Sequence, residues 1–409
     1  YAGWIRQSIA DNKPYDEIAR ERLAAQGYTA ASRHYLPYNV IGPAGEQMAE
    51  EVRVFFGRRL DCAQCHNHPY ESWSQDQFWG LAAFFGRLHK MGDNNDYVIF
   101  DHPVEEPMGN ADVNADLKLY HPRTKAVLKP VLLDGTQVEA TARENPRRIL
   151  ADWMVEHPYF AEAAVNRIWS YFFGRGIVDP VDDFRSTNPP THPQLLQRLA
   201  EHFRSNNHDL RQLMRTIVMS RTYQLSGRTN ETNRGDRTNY SHAQPRPMDA
   251  EVLLDAICDV TGVPEVFTVG IPTGSRPPVH LPIGTRAVTL RQPDVFYSRF
   301  LELYGRPTRL TFPERSGKAN LKQALHMLAG PVYNEKLAAP DGRLQRLIKA
   351  GKSDSEIIDE FYLAALSRLP DRVEKTGLQK LIAQSADRSE ALKNLVWAIL
   401  CSREFAENH

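Results

Sequence analysis

The chain has 409 residues, 42% hydrophobic and 24% charged, the composition of a globular protein long enough for two or three domains. Its 50 basic side chains balance 50 acidic ones, so a net charge of zero gives no reason to expect a nucleic acid or an anionic membrane as partner. No apolar run approaches the roughly 18 to 20 residues of a membrane helix, so no transmembrane segment is expected. No signal peptide is visible. However, Tyr1 is not an initiator Met and the first residues read as the interior of a helix, as in a mature or trimmed chain. The lack of a leader is therefore no argument for the cytoplasm.

In chain order, Trp4 to Ile9 and Ile18 to Ala25 read as two short amphipathic helices separated by the breaker Lys13-Pro14. Met48 to Leu60 is a stronger helix that leads into Cys62. Ser74 is a good N-cap for a helix to about Leu88, with Gln77 placed for a capping box. From Met91 to Thr141 Gly, Asn and Pro are frequent. Ala115–Tyr120 and Ala126–Leu133 flank Pro122-Arg-Thr-Lys125 as a small hairpin or strand pair. Helices resume at Pro146 and continue to about Tyr223. Ser226 to Pro247 reads as an exposed polar loop, Met248 to Val260 as a helix, and Gly262 to Leu290 as an irregular connection. Val295 to Phe405 is helical again, with Leu363, Leu366, Leu369, Leu392, Leu395 and Ile399 on the expected core faces. The fold class is mainly α: multi-helix domains over 1–144 and 145–409, with a small β-hairpin or irregular insertion between them.

Four cysteines are too few to staple a chain of this length. Cys258 and Cys401 sit on apolar helical faces and read as buried free thiols. Cys62-Ala63-Gln64-Cys65-His66 is a complete C-x-x-C-H, the sequence of a c-type haem attachment site. Two thiols add across the two vinyl groups on one edge of the porphyrin, and the spacing of two residues matches their separation. His66 follows as the proximal iron ligand. Two other chemistries compete. A structural zinc site could use Cys62 and Cys65 with His66 or His68, but no second Cys pair exists to complete it. A redox dithiol would open a helix after a strand, whereas this pair follows a helix. The aromatic flank Phe55, Phe56, Trp73, Phe78, Trp79, Phe84 and Phe85 suits a wall for a flat apolar macrocycle, and equally suits a plain core. His68 reads as a support for the iron ligand, a propionate contact or a loop residue.

Phe55-Phe-Gly-Arg-Arg-Leu-Asp-Cys-Ala-Gln-Cys-His-Asn-His-Pro69, continuing from Trp73 to Phe85, resembles the PSCyt-type domain of planctomycete cytochrome c-like multidomain proteins. Asn166–Val178 and Asp183–Pro193 resemble the PSD-type domain that follows it, and further similar strings are Ser220–Leu225, Tyr304–Pro307 and Ala364–Pro370. The resemblance covers nearly the whole chain. It implies an exported bacterial protein, periplasmic or extracellular, with a haem at Cys62, Cys65 and His66. Both domains are of largely unknown function. Family members often carry a Cys-rich stretch after the Tyr304–Pro307 equivalent, where this chain has Thr311-Phe-Pro-Glu-Arg315.

The role of a haem iron depends on its second axial position. His121 and His192, each in a Pro-fixed loop, and His89 and Met91, just beyond the aromatic helix, are the candidate distal ligands. Asp179, Asp182 and Asp183 with Arg185 read as a turn with local ion pairs, with a calcium site as the alternative. Asn166, Arg167 and Arg175 could anchor propionates or an interdomain contact. Three functions follow: an exported monohaem electron carrier serving a redox partner or a larger respiratory or extracellular complex; a haem enzyme with an open distal side, peroxidase- or oxidase-like; or a binding protein with a structural Cys/His metal site.

Overall fold

The computed structural model describes residues 1–35, 44–69, 71–93, 96–101, 119–139, 144–269, 279–290, 295–296, 298–307 and 320–408. Residues 115–118 of the expected strand pair, and the Thr311–Arg315 stretch, lie outside them. The protein is mainly α-helical, as expected, and divides into two compact units, Tyr1–Gln244 and Pro245–His409.

The first unit contains α1 (Ala2–Ala10), α2 (Tyr15–Leu23), α3 (Ala44–Phe56), α4 (Gln75–Ala82), the strands β1 (Leu88–Asp93) and β2 (Asp96–Asp101), α5 (Pro146–Glu156), α6 (Pro158–Phe173), α7 (Pro193–Ser205) and α8 (Leu210–Val218). α3 is its axis. One side packs on α6, the other on α4, and α2 packs on α5. Gly45 lets α3 approach α4, since a Cβ there would lie 2.9 Å from the Phe78 ring. The helix expected to run to Leu60 stops at Phe56. Gly57 takes φ +63°, a left-handed conformation that turns the chain, and a Cβ at that point would meet Phe184 at 2.9 Å. α4 is also shorter than expected: the capping box on Ser74 forms, but a 3-10 turn over Ala83–Phe85 ends the helix and Leu88 begins the antiparallel β1–β2 hairpin. The expected pairing around Pro122–Lys125 is present as an antiparallel bridge between Tyr120 and Val127.

Arg147, at the start of α5, is fully buried. Its guanidinium donates to the carbonyls of Leu23 and Ala25 at 2.7 and 3.1 Å and pairs with Asp101 at 2.7 Å, and it lies over the Tyr35 ring. One side chain thus joins the end of α2, the end of β2 and the start of α5. A buried charge needs such a full partner set, because desolvation is otherwise prohibitive. The helices after residue 145 complete this first unit: α5 and α6 pack on α2 and α3, and the unit runs past the composition change at 144 to Gln244.

The second unit is built on α9 (Ala250–Thr261), with α10 (Arg299–Leu303), α11 (Leu321–Ala329), α12 (Pro331–Ala338), α13 (Arg343–Lys349), α14 (Asp354–Leu366), α15 (Arg372–Gln384), α16 (Arg388–Leu400) and α17 (Arg403–Ala406). α10, α12, α13 and α14 all touch α9, and α14, α15 and α16 pack together. Two short strands, β3 (Arg246–Pro247) and β4 (Glu407–Asn408), pair antiparallel and bring the ends of the unit together. Leu392, Leu395 and Ile399 are buried as expected. Leu363 and Leu369 are not: Leu363 is 50% exposed because the buried stripe of α14 runs through Ile357, Ile358, Phe361 and Tyr362, and Leu369, 58% exposed, lies beyond the end of α14. Cys258 and Cys401 are free but half-buried rather than buried, flanking the core instead of filling it. Among the described residues no helix is long and apolar enough to cross a membrane.

Arg147→Met should destabilise the first unit by about 3–5 kcal/mol, because it strands the Asp101 carboxylate and two carbonyls in the core. Denaturant unfolding of the two proteins measures this, and a loss below about 1 kcal/mol would contradict the role given to Arg147.

Candidate functional site

The left-handed turn at Gly57 delivers the chain to a short 3-10 turn, Asp61–Gln64, that contains the first cysteine. Two apolar side chains pin it: Leu60 and Ala63 are buried at 1% and 0% exposure, and the Ala63 amide donates to the Leu60 carbonyl at 2.8 Å. With Leu60 and Ala63 turned inward, Cys62, Cys65 and His66 are left facing solvent.

α4 fixes this loop from the other side. The Gln64 carbonyl accepts from the Gln75 side-chain amide and from the Trp79 indole N–H, both at 3.0 Å. The Asn67 side-chain oxygen accepts from the Gln75 backbone N–H at 2.9 Å, so the loop satisfies one of the orphan donors at the start of α4. The His68 amide donates to the Trp73 carbonyl at 2.8 Å, closing the return. Glu71 accepts from the Ser186 amide and hydroxyl at 2.6 and 3.0 Å, tying the loop to the turn before α7. Below it, Asp182 is 2% exposed and pairs with Arg53 and Arg59; burial alone would raise its carboxyl, but the two guanidinium bonds outweigh burial and hold it low.

His66 is oriented for ligation. Its Nδ1 lies 2.7 Å from the Asn67 carbonyl oxygen, which can only accept, so Nδ1 carries the proton. The Nε2 lone pair is then the ligating position, and the carbonyl bond fixes the ring. Two exposed thiols and one imidazole with a defined free nitrogen, on a loop whose backbone is tied, fit the donor set of a covalently held haem. A closed zinc site fits less well. Among the described residues no three His, Cys, Asp or Glu side chains gather as a metal-holding group, and such a site needs four convergent ligands.

The aromatic flank divides sharply. Phe55, Phe56, Phe78, Phe84 and Phe85 are all at 2% exposure or less and fill the core of the first unit; Trp79 is 8% exposed and Trp73 partly buried. Phe55 packs against Tyr15 and Phe160, and Phe56 against Trp153, His157 and Tyr159. Only the two tryptophans bond toward the loop, so most of the run is core and not a macrocycle wall.

His121 is buried at 2% exposure and its Nδ1 is engaged, accepting from the Arg123 and Thr124 amides at 3.2 Å; Nε2 lies 3.3 Å from Asp76 of α4 without a hydrogen bond to it. It could reach an iron through Nδ1 only by giving up both amide bonds, and from either nitrogen only by leaving its buried position. His192 precedes α7 without capping it; its Nδ1 lies 3.1 Å from the Thr191 hydroxyl and its ring 5.7 Å from Tyr240. His89 lies in β1 beside Phe100, and Met91, also in β1, is 57% exposed. Asn166 and Arg167 are structural: Asn166, fully buried, bonds the Val178 amide and carbonyl, and Arg167 caps the Val54 carbonyl at the end of α3. The acidic run is a set of ion pairs, Asp182 with Arg53 and Arg59, and Asp183 with Arg185.

The loop anchors Gln75 and Trp79 escaped the sequence reading. The signal was present, because the Ser74 capping box puts both on one face of α4, one turn apart.

Residues 1–90 match the family model PSCyt2, a protein of unknown function (DUF1549), and residues 146–382 match PSD1, a protein of unknown function (DUF1553). The second match spans more than half of the chain, which belongs to the PSD1 family, here preceded by a PSCyt2 domain. No curated protein and no solved structure matches it significantly.

Trp79→Phe keeps the ring and removes the donor to Gln64. It should cost about 1 kcal/mol and speed amide exchange across residues 62–66. Hydrogen exchange read by mass spectrometry checks this; unchanged protection of that segment would show the loop to be held by other means.

Proposed function

We propose that the protein is an exported c-type cytochrome that carries one haem at Cys62 and Cys65 and transfers electrons. The observation that carries this reading is the tied Cys62–His66 loop, with both thiols and the imidazole exposed and His66 Nδ1 held by the Asn67 carbonyl. A haem held there supplies a one-electron iron couple. The chain's part is to present and orient. Leu60 and Ala63 anchor the turn, Gln75 and Trp79 hold the Gln64 carbonyl, and the Asn67 carbonyl keeps the His66 ring in the ligating tautomer. Because the loop is at the surface, an attached macrocycle would lie near solvent, within reach of a redox partner protein or a larger respiratory or extracellular complex. Export suits this reading, since thioether attachment belongs to compartments outside the cytoplasm.

A second reading, a haem enzyme with an open distal side, is favoured by the burial of His121 and the commitment of its Nδ1 to two backbone amides. A ligand that must first leave a buried position held by two backbone amides is a poor sixth ligand, and an unfilled position would admit exogenous molecules.

The chain is to be expressed with a periplasmic haem-maturation system. The expected result is an intact mass increased by one haem and a c-type pyridine haemochrome band, both lost in Cys62→Ala/Cys65→Ala. An unmodified mass for the wild-type chain would sink the proposal. The two readings then separate by spectrum: a low-spin ferric state indifferent to azide and cyanide marks the carrier, and a high-spin state that shifts with either marks the enzyme. His121→Ala should leave the spin state unchanged.

A further inference from the structure

The second unit contains a cleft of about 410 Å³, framed by the start of α9, the end of α10, α11 and the chain around α17. Its wall is mainly apolar, contributed by Met248, Leu253, Tyr304, Met327, Cys401 and Ala406. The volume falls within the roughly 300–1,000 Å³ of small-molecule sites and well above the roughly 150 Å³ left by one truncated core side chain. It is therefore too large for a packing defect.

The polar groups around it are largely committed to one another. The Tyr304 and Tyr333 hydroxyls lie 3.3 Å apart. Gln323 donates to the Leu303 carbonyl at 2.9 Å and accepts from the Asn320 amide at 3.2 Å. Ser402 donates to the Ile399 carbonyl and accepts from the Phe405 amide, at 2.7 and 3.2 Å. Arg403 and Glu407 pair through two bonds of 3.0 Å and cancel each other's charge. Asp249, the residue before α9, also lines the cleft. Burial pushes the Cys401 thiol up to about 11, so it is neutral at physiological pH and can offer a weak S–H donor. The two methionines add polarisable, adaptable surface on opposite elements, Met248 before α9 and Met327 in α11.

We infer that this cleft binds an uncharged, largely apolar small molecule, a ring system or alkyl chain carrying one hydroxyl or carbonyl, with the Tyr304 hydroxyl and Cys401 thiol as its polar contacts. Such a ligand uses every property of the lining. Its apolar body covers Met248, Leu253 and Met327, and its single polar group meets the Tyr304 hydroxyl and the Cys401 thiol. The inference concerns the second unit and does not rest on the haem reading.

The full-length protein is titrated with Nile red, with decan-1-ol as competitor. In parallel, the rate of Cys401 modification by 4,4′-dithiodipyridine is followed, with Cys401→Ser identifying the signal. Expected are saturable, blue-shifted Nile red fluorescence displaced by decan-1-ol, and a Cys401 reaction slowed about tenfold by decan-1-ol. Ala406→Trp, which fills the cleft, should weaken Nile red binding at least about tenfold while far-UV circular dichroism stays unchanged. If that variant misfolds, protection of Cys401 in the wild-type chain decides alone. Absence of saturable binding, a Cys401 rate indifferent to decan-1-ol, or undiminished binding by a folded Ala406→Trp protein would each overturn the inference.

Discussion

The first unit depends on a charge that has nowhere to go but inward. Arg147 is fully buried, and a guanidinium in that position must find an acceptor for nearly every N–H. It takes two carbonyls from the end of α2 and both oxygens of Asp101 from the end of β2. α5 is thereby fixed against α2 and the hairpin, Asn145 adds a bond to the Ala24 carbonyl, and α6 continues from α5 onto α3. The core of phenylalanines that closes around this frame is what α4 and the Cys62–His66 loop are mounted on.

From that mounting follows a division of labour along a few residues. Gly57 turns the chain, Leu60 and Ala63 sink into the core, and Gln64 gives its carbonyl to α4, leaving Cys62, Cys65 and His66 outward. A redox or ligand-holding loop benefits from this arrangement, because the reactive side chains remain accessible while the backbone under them is held at several points. The tie between His66 Nδ1 and the Asn67 carbonyl extends the same logic to the proton: the loop determines which nitrogen is free.

How much could be read from the residues varied with the range of the interaction. The mainly helical class, the Ser74 capping box and the break after the aromatic helix are local, and their signals lie within a few positions of one another. The end of α3 was misplaced by four residues because Gly57 is demanded by Phe184, far along the chain. Leu363 matched a helical stripe, yet α14 faces the core with Ile357, Ile358 and Phe361 instead. A periodic pattern identifies a face, but competing stripes on one helix are resolved only by the partner it packs against.

The sequence by itself determined the chemistry at hand: two thiols and an imidazole at a spacing that belongs to one short turn, and a family whose two domains occur in that order. It did so because covalent spacing is a property of consecutive residues. Only the tertiary structure decided that these three groups face solvent, that the aromatic run is core and not a wall, and that His121 is buried with its Nδ1 held by two backbone amides. Those outcomes rest on contacts between elements tens of residues apart, where burial and hydrogen-bond satisfaction are settled by the packed whole.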